Sequence, residues 1–315
     1  MQAELIMEPG VSIGWREFVE KKPPSSIALD GYVHRGPRHH INKKGLWMNC
    51  NHHEDVYRPF TRATCSQVYF AINQVLFDCC GELIRVYAND CDQDIATSWT
   101  LINNGQRPEF IESKLVYKLV MAEDTLDTFA GAYPFPSSFV PMMKRMAWIF
   151  EPYSNFRSQG RINEPFKDPE MFKQVVFDVE ARFLQSISGK GKTIPLDVRY
   201  EKFGGNSKWI VAREVGIHAK TGIFRDRYHT YALFRQNSIG KFYWVFGKLL
   251  FAPFDLAKLM SLLNELEGTP GDSQPYGGGN TIFGNRNSQG SSIGPDRMAN
   301  IMDEVNRYSN AKMIS

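Results

Sequence analysis

Cysteine is scarce in this 315-residue chain: Cys50, Cys65, Cys79, Cys80 and Cys91, and none beyond. An odd number, two of them adjacent, argues against a disulfide framework and points to a reducing, cytoplasmic setting. Long apolar runs are missing too. No stretch approaches the ~18–20 consecutive apolar residues that a membrane span needs, so no membrane partner is expected. The first residues carry Glu4 and Glu8 rather than a basic segment leading into an apolar one, so no secretory signal is expected. Charge of one sign is also in short supply: 37 Lys and Arg against 34 Asp and Glu leave a net +3, too little for indiscriminate wrapping of nucleic acid but compatible with local basic patches. No internal repeat and no paired C-x-x-C of zinc-ribbon spacing is present.

What is present is concentrated. Five of the seven histidines fall between His34 and His53, and the run Asp90-Cys-Asp92-Gln-Asp94 follows about forty residues later. Imidazole nitrogens and carboxylate oxygens are the donors of a divalent-metal site, and crowded carboxylates repel one another unless a cation or a proton neutralises them.

The apolar pattern places these clusters. Ser26-Ile-Ala-Leu29, ending at Asp30, reads as a strand, and so does Leu46–Cys50. After Pro59, Val68, Ile72, Val75, Leu76 and Cys79 share one helical face, with Gly81 as the stop. Ile84–Ala88 reads as a strand and a helix from about Ile95 ends at Asn103-Asn-Gly105. Alternation of strand and helix favours a parallel sheet covered by helices. Asp30, the Asn51-His52-His53 loop and the Asp90–Asp94 loop then each follow a strand, at the carboxyl ends where open α/β sheets bind ligands.

Residues 113–150 read as helical, 151–192 as a helical linker whose helix runs from about Glu170 to Ile187, and 193–315 as a smaller α+β domain. The last has strands at Trp209–Ala212, His229–Phe234 and Lys241–Phe246, a helix from Asp255 to Glu267, a glycine-rich run from Tyr276 to Gly290 and a final helix near Pro295. The expected fold class is therefore α/β, a parallel-sheet domain over 1–150 plus the α+β domain.

The motifs together resemble those of the DHH phosphoesterase superfamily, its RecJ-like branch in particular. Val86-Tyr-Ala-Asn-Asp90-Cys-Asp92-Gln-Asp94 resembles that family's first motif, Ile27-Ala-Leu-Asp30-Gly its second, and Trp47-Met-Asn-Cys-Asn51-His52-His53 its third. Leu119-Val-Met-Ala-Glu-Asp124-Thr-Leu-Asp127 is similar to the fourth. The motif order is permuted, Asn51 stands for the first aspartate of Asp-His-His, and Ile95 stands where the family has glycine. Gly277-Gly278-Gly279-Asn280 resembles the glycine run of the family's accessory substrate-binding domain, with asparagine in place of histidine.

The resemblance implies a phosphoesterase that hydrolyses a nucleotide or short single-stranded nucleic acid with two divalent ions, Mn²⁺ first and Mg²⁺ or Zn²⁺ as alternatives. It implies metal ligands at Asp30, His52, Asp90 and Asp94, with Asp92 next and Asp127 (Asp124 as alternate) from the fourth motif. His53 and Arg38 would act on the substrate phosphate, Arg35 and Lys43-Lys44 would guide it, and Gly277, Gly278, Gly279 and Asn280 would bind substrate. A homo-oligomer is compatible with all of this.

Plainer readings stay open for each feature. His52-His53 can simply satisfy backbone groups at a strand end, and the aspartate run can be an Asx turn with a helix cap. His39-His40 reads as an exposed loop. The glycine run reads equally as a phosphate cradle or a surface loop. Tyr231, Phe234, Tyr243, Trp244 and Phe246 at strand spacing read as cross-strand core rather than base-stacking residues. Rival functions are a pyrophosphatase acting on a small phosphate compound, a nucleotide-sensing protein without turnover, and a structural zinc protein.

Overall fold

In the computed structural model, residues 1–159, 168–269, 272, 274–279, 281–285 and 290–314 are described. The protein is mixed α/β, with two mixed sheets, and falls into two compact units: Met1–Thr128 with Ser138–Pro195, and Phe129–Ser137 with the chain from Leu196 onward.

The first unit contains β1 (Gln2–Met7), α1 (Trp15–Lys21), β2 (Ser26–Ala28), β3 (Arg38–Asn42), β4 (Gly45–Asn49), α2 (Thr64–Asn73), β5 (Leu83–Ala88) and α3 (Gln93–Asn104). After these come α4 (Pro108–Ile111), α5 (Lys114–Thr128), α6 (Val140–Ile149), α7 (Glu151–Ser158) and α8 (Pro169–Ile187). Among the described residues its sheet has the order β1-β5-β2-β4-β3. The first four strands run parallel, and β3 is antiparallel to β4 at the edge.

The two-residue period of a strand sorts the core into two layers. Ile84, Val86 and Ala88 of β5 enter the larger layer with Leu5, Met7, Ile27 and the inner faces of α2, α3, α5 and α8. Tyr87 and Ala28 point the other way, to Trp47, Tyr32 and Phe18 of α1. Helix α3 is buried along nearly its whole length, which is why its apolar residues recur on every side.

The structure departs from three expectations in this unit. The described residues of 151–192, expected as a helical linker, pack into the first unit. Phe156, Phe172, Val176, Val179 and Phe183 of α7 and α8 are core residues of the first unit, and a fully buried Phe stabilises by roughly 1.5–3 kcal/mol. Glu180 of α8 also accepts 2.7 Å hydrogen bonds from Trp99, Asn103 and Asn104 of α3, a buried acceptor set that locks the two helices together. The helix after Pro59 starts at Thr64 and stops at Asn73, before Val75 and Cys79. Val75 takes a left-handed φ of 59° and stays 61 % exposed, reversing the chain so that Leu76 enters the core. His39 and His40 are exposed, as expected, but they lie on strand β3 rather than in a loop.

The second unit contains β6 (Tyr200–Gly205), β7 (Trp209–Glu214), α9 (Ala219–Arg225), β8 (Thr230–Gln236), β9 (Phe242–Lys248), α10 (Leu256–Glu267), β10 (Tyr276–Gly278), β11 (Ile282–Asn285) and α11 (Pro295–Ile314). Among the described residues its sheet order is β10-β11-β9-β8-β7-β6, with β7 and β8 parallel. Tyr231, Phe234, Trp244 and Phe246 are all at most 2 % exposed, so the aromatic strands build core on both faces of this sheet.

Candidate metal centre

Strands β5, β2 and β4 lie side by side and parallel, so their three following loops open at one sheet edge. The loop after β2 carries Asp30, whose backbone sits at φ +32° ahead of Gly31 at +83°. A left-handed aspartate is strained, and such strain persists where the surroundings over-determine it. A 3.0 Å bond from Tyr32 N–H to the Leu29 carbonyl closes this turn.

The loop after β4 is held by asparagines. Asn51 Oδ1 accepts the His53 N–H at 2.9 Å, and its Nδ2 donates to the Val33 carbonyl at 3.0 Å. The asparagine that departs from the Asp-His-His pattern thus uses both ends of its amide to shape the loop. An aspartate would lack the donor to Val33.

After β5, the three aspartates diverge in role. Asp92 caps α3, its Oδ1 accepting the Ile95 N–H at 2.9 Å, which is the plain cap reading for that residue. Asp90 Oδ1 accepts the neighbouring Cys91 N–H at 2.7 Å. Asp94, in the first turn of α3, reaches the N-terminus of α2, where Thr64 N–H (2.8 Å) and Cys65 N–H (2.7 Å) donate to its two oxygens. Two otherwise orphaned helix amides are satisfied by one carboxylate, and each oxygen keeps a lone pair. Thr64 Oγ1 donates to the Cys50 carbonyl at 2.7 Å, fastening α2 to the end of β4.

Asp127 comes from the last turn of α5. Arg58 Nη2 lies 3.2 Å from each Asp127 carboxylate oxygen and donates to its carbonyl at 3.1 Å. One turn earlier, Asp124 accepts the Ala63 N–H at 2.7 Å, and so serves the entry to α2.

These elements surround His52, whose side chain is fully buried. Its Nε2 lies 2.8 Å from Asp127 Oδ2, 3.3 Å from Asp30 Oδ1 and 3.7 Å from Asp94 Oδ2. His53 Nε2 is 2.6 Å from Asp30 Oδ1, and its side chain is 36 % exposed. Two ligand groups result, Asp30–His52–His53 and His52–Asp94–Asp127, each with donor atoms within 4.8 Å of one another. Despite the short distances, both ring nitrogens of His52 and Oδ1 of Asp30 are buried without a well-aligned hydrogen bond. A ring nitrogen surrounded by three carboxylates but bonded to none leaves donor atoms converging without satisfying one another.

The electrostatics reflect this crowding. Burial disfavours the His52 imidazolium, but Asp127 and Asp30 outweigh it and raise the pKa to about 10. Burial, then the charges of Asp127 and Asp30, push Asp94 up to about 7. Asp30 goes the other way: burial pushes it up, yet the two imidazoles hold it well below the ordinary carboxylate range. Asp92 is raised by burial and by Asp30, Asp90 and Asp94, and buried Glu123 by burial, Asp127 and Asp94.

Of the expected residues, the fold brings together Asp30, His52, His53, Asp94 and Asp127. Asp90 and Asp92 stand outside the two groups, and Asp92 Oδ1 caps α3. Arg35 and Arg38 have contacts of their own. The exposed Arg35 guanidinium faces Asp55 at 3.5 Å, and Arg38 donates to the Gly36 carbonyl at 3.3 Å and lies over Trp15. The arginine at the centre is Arg58, whose only sequence signal was its place a few residues after His53. In the second unit, Gly277 and Gly278 belong to the β10–β11 hairpin, and Gly279 N–H donates to the Ile282 carbonyl at 2.7 Å. Gly278 has φ +152°, and a Cβ there would meet the Ile282 oxygen at 2.5 Å, so tight strand pairing demands that glycine. Asn280 lies outside the described residues.

The donor set of one or two imidazoles and three carboxylates fits a divalent cation of the manganese, magnesium or zinc kind. No protein-family model, no curated protein and no solved structure matches the chain.

Proposed function

We propose that the chain is a divalent-metal-dependent phosphoesterase of DHH-like type that hydrolyses a phosphodiester of a nucleotide or oligonucleotide. The observation that carries the reading is the convergence of Asp30, His52, Asp94 and Asp127 around unsatisfied ring and carboxylate atoms at the ends of three parallel strands. Asp30, His52, Asp94 and Asp127 would hold the metal, Mn²⁺ by preference, with His53 at the open side. Bound there, one or two cations supply Lewis acidity that activates water and neutralises phosphate charge.

The remaining work falls to side chains. Hydrolysis joins a water oxygen to phosphorus and breaks the bond to the leaving alkoxide, which takes up one proton. His53, 36 % exposed with its Nε2 2.6 Å from Asp30 Oδ1, is the imidazole at the solvent side that would hold that proton. Arg58 holds the Asp127 carboxylate through its paired 3.2 Å contacts. The hydrogen bonds from α2 fix Asp94, so two carboxylates are set before any ligand arrives.

The test is turnover of bis(p-nitrophenyl) phosphate and of short oligonucleotides with manganese, repeated with Asp127→Asn and His53→Ala. Manganese-dependent turnover that Asp127→Asn abolishes supports the proposal. No turnover with any divalent ion defeats it.

A second reading has an observation of its own. An imidazolium at His52, together with Arg58, balances most of the carboxylate charge without any ion. On that reading the cluster is a structural charge knot in a nucleotide-binding protein that lacks turnover. Protein that stays metal-free in millimolar manganese, yet binds nucleotide, favours it.

A further inference from the structure

The loop that leaves the centre carries two large apolar rings in open solvent. Tyr57 is 58 % exposed and Phe60 is 74 % exposed. Their rings lie nearly parallel, 16° apart with centroids at 5.2 Å, so they form one stacked pair rather than two stray side chains. Between them in sequence stands Arg58, whose guanidinium reaches Asp127 at the centre.

The loop is also braced. Pro59 fixes one backbone angle, Phe60 N–H donates to the Tyr57 carbonyl at 2.9 Å, and Thr61 Oγ1 donates to the same carbonyl at 3.2 Å. Exposed aromatic rings lose the hydrophobic stabilisation that burial would provide, and two rings presented together from a braced turn offer a flat π surface at small entropic cost. A phosphate at the centre and a flat ring on this surface are reached by one molecule only if it carries both. Nucleotides do, and inorganic pyrophosphate does not.

We infer that Tyr57 and Phe60 form a stacking platform for a nucleobase of the substrate whose phosphodiester lies at the Asp30–His52–Asp94–Asp127 centre. The inference rests on the phosphoesterase reading for the position of the phosphate and deepens it by naming the residues that would receive the base of a nucleobase-bearing phosphodiester. Stacking on aromatic rings is tolerant of base identity, so the platform selects for a base without selecting which one.

The test compares a short oligothymidylate with an abasic oligomer of equal length, reading the ratio of their kcat/KM values. The wild-type protein should prefer the base-bearing oligomer by about tenfold, the loss expected when a base–aromatic stack is removed. In Tyr57→Ala/Phe60→Ala that ratio should fall towards one, and Phe60→Trp should keep or raise it. Both positions are exposed, so an unchanged unfolding midpoint checks that the variants fold. A ratio near one in the wild type, or a ratio the double variant leaves intact, overturns the inference. So does a sedimentation shift showing that the rings instead join two copies of the chain, with the ratio unaffected. Absence of turnover with every divalent ion defeats the phosphoesterase reading alone, and equilibrium binding of the same labelled oligomers then decides. Base-dependent affinity lost in the double variant supports the platform, whereas equal affinity for both oligomers overturns it.

Discussion

Both units contain parallel strands whose carboxyl ends carry charge, and they treat that charge in opposite ways. At the ends of β7 and β8, Arg213 pairs with Glu201 and Arg235 with Glu214, both at 2.5 Å. Opposite charges meet there in or near water, and such pairs are worth about 0–1 kcal/mol. At the ends of β2, β4 and β5, charges of one sign crowd together out of water: the Asp30, Asp94 and Asp127 side chains are 5 %, 1 % and 20 % exposed around a fully buried His52. Burying like charges is costly, so the first edge persists only because something offsets the repulsion: a proton, an imidazolium or a metal ion. The comparison separates surface charge that finds an opposite partner from buried like charge that requires a proton, an imidazolium or a cation.

Breaking the first edge should have the largest effect. His52→Ala leaves buried carboxylates without their central cation, and stability of the metal-free protein at neutral pH should fall by about 3–5 kcal/mol, read as a shift in urea midpoint. Next comes Asp94→Ala, which strips two acceptors from the Thr64 and Cys65 amides, at a cost of about 1–3 kcal/mol for each buried group left unpaired. It should also abolish manganese-dependent turnover.

A pH titration sharpens the same contrast. His52 has a folded pKa of about 10 against an ordinary 6.5. Its stabilising charge is therefore fully present below the ordinary value and is lost as pH rises towards the folded one. With a chelator present, the urea midpoint should fall between pH 7 and 10 from this group. Excess manganese should reverse that trend, because the metal competes with protons for His52 and Asp94 and gains affinity as they leave.

Arg58→Ala should weaken manganese affinity or turnover by about 10–100-fold with little change in stability, since it acts by holding a ligand carboxylate. The smallest effect belongs to the second edge. Arg235→Ala should move stability by no more than about 0.5 kcal/mol and leave manganese affinity unchanged in a calorimetric titration.

The centre was legible in the sequence to the extent that local pattern encodes it. Strand-then-polar-loop punctuation placed Asp30, His52 and the aspartate run at one edge, since β2, β4 and β5 are short apolar runs bounded by turn residues. The distribution of labour among the aspartates was not legible. Three alternating carboxylates look alike in one dimension, and only the approach of α2 gives Asp94 its amides and leaves Asp92 as a cap. Arg58 was hidden because its partner Asp127 is 69 residues away in sequence, and no spacing rule reaches that far. The role of α8 was misread because the Pro- and Asn-rich stretch before it resembles a linker, while its own Phe172, Val176 and Phe183 stripe is what buries it. In the glycine run, the pairing of β10 with β11 gives Gly278 a packing reason of its own.

The most direct test of the central claim is a crystal of the protein grown with manganese and measured at the manganese absorption edge. The account predicts anomalous density bonded to Asp30, His52, Asp94 and Asp127. A full data set at saturating manganese with no peak among those side chains would contradict it.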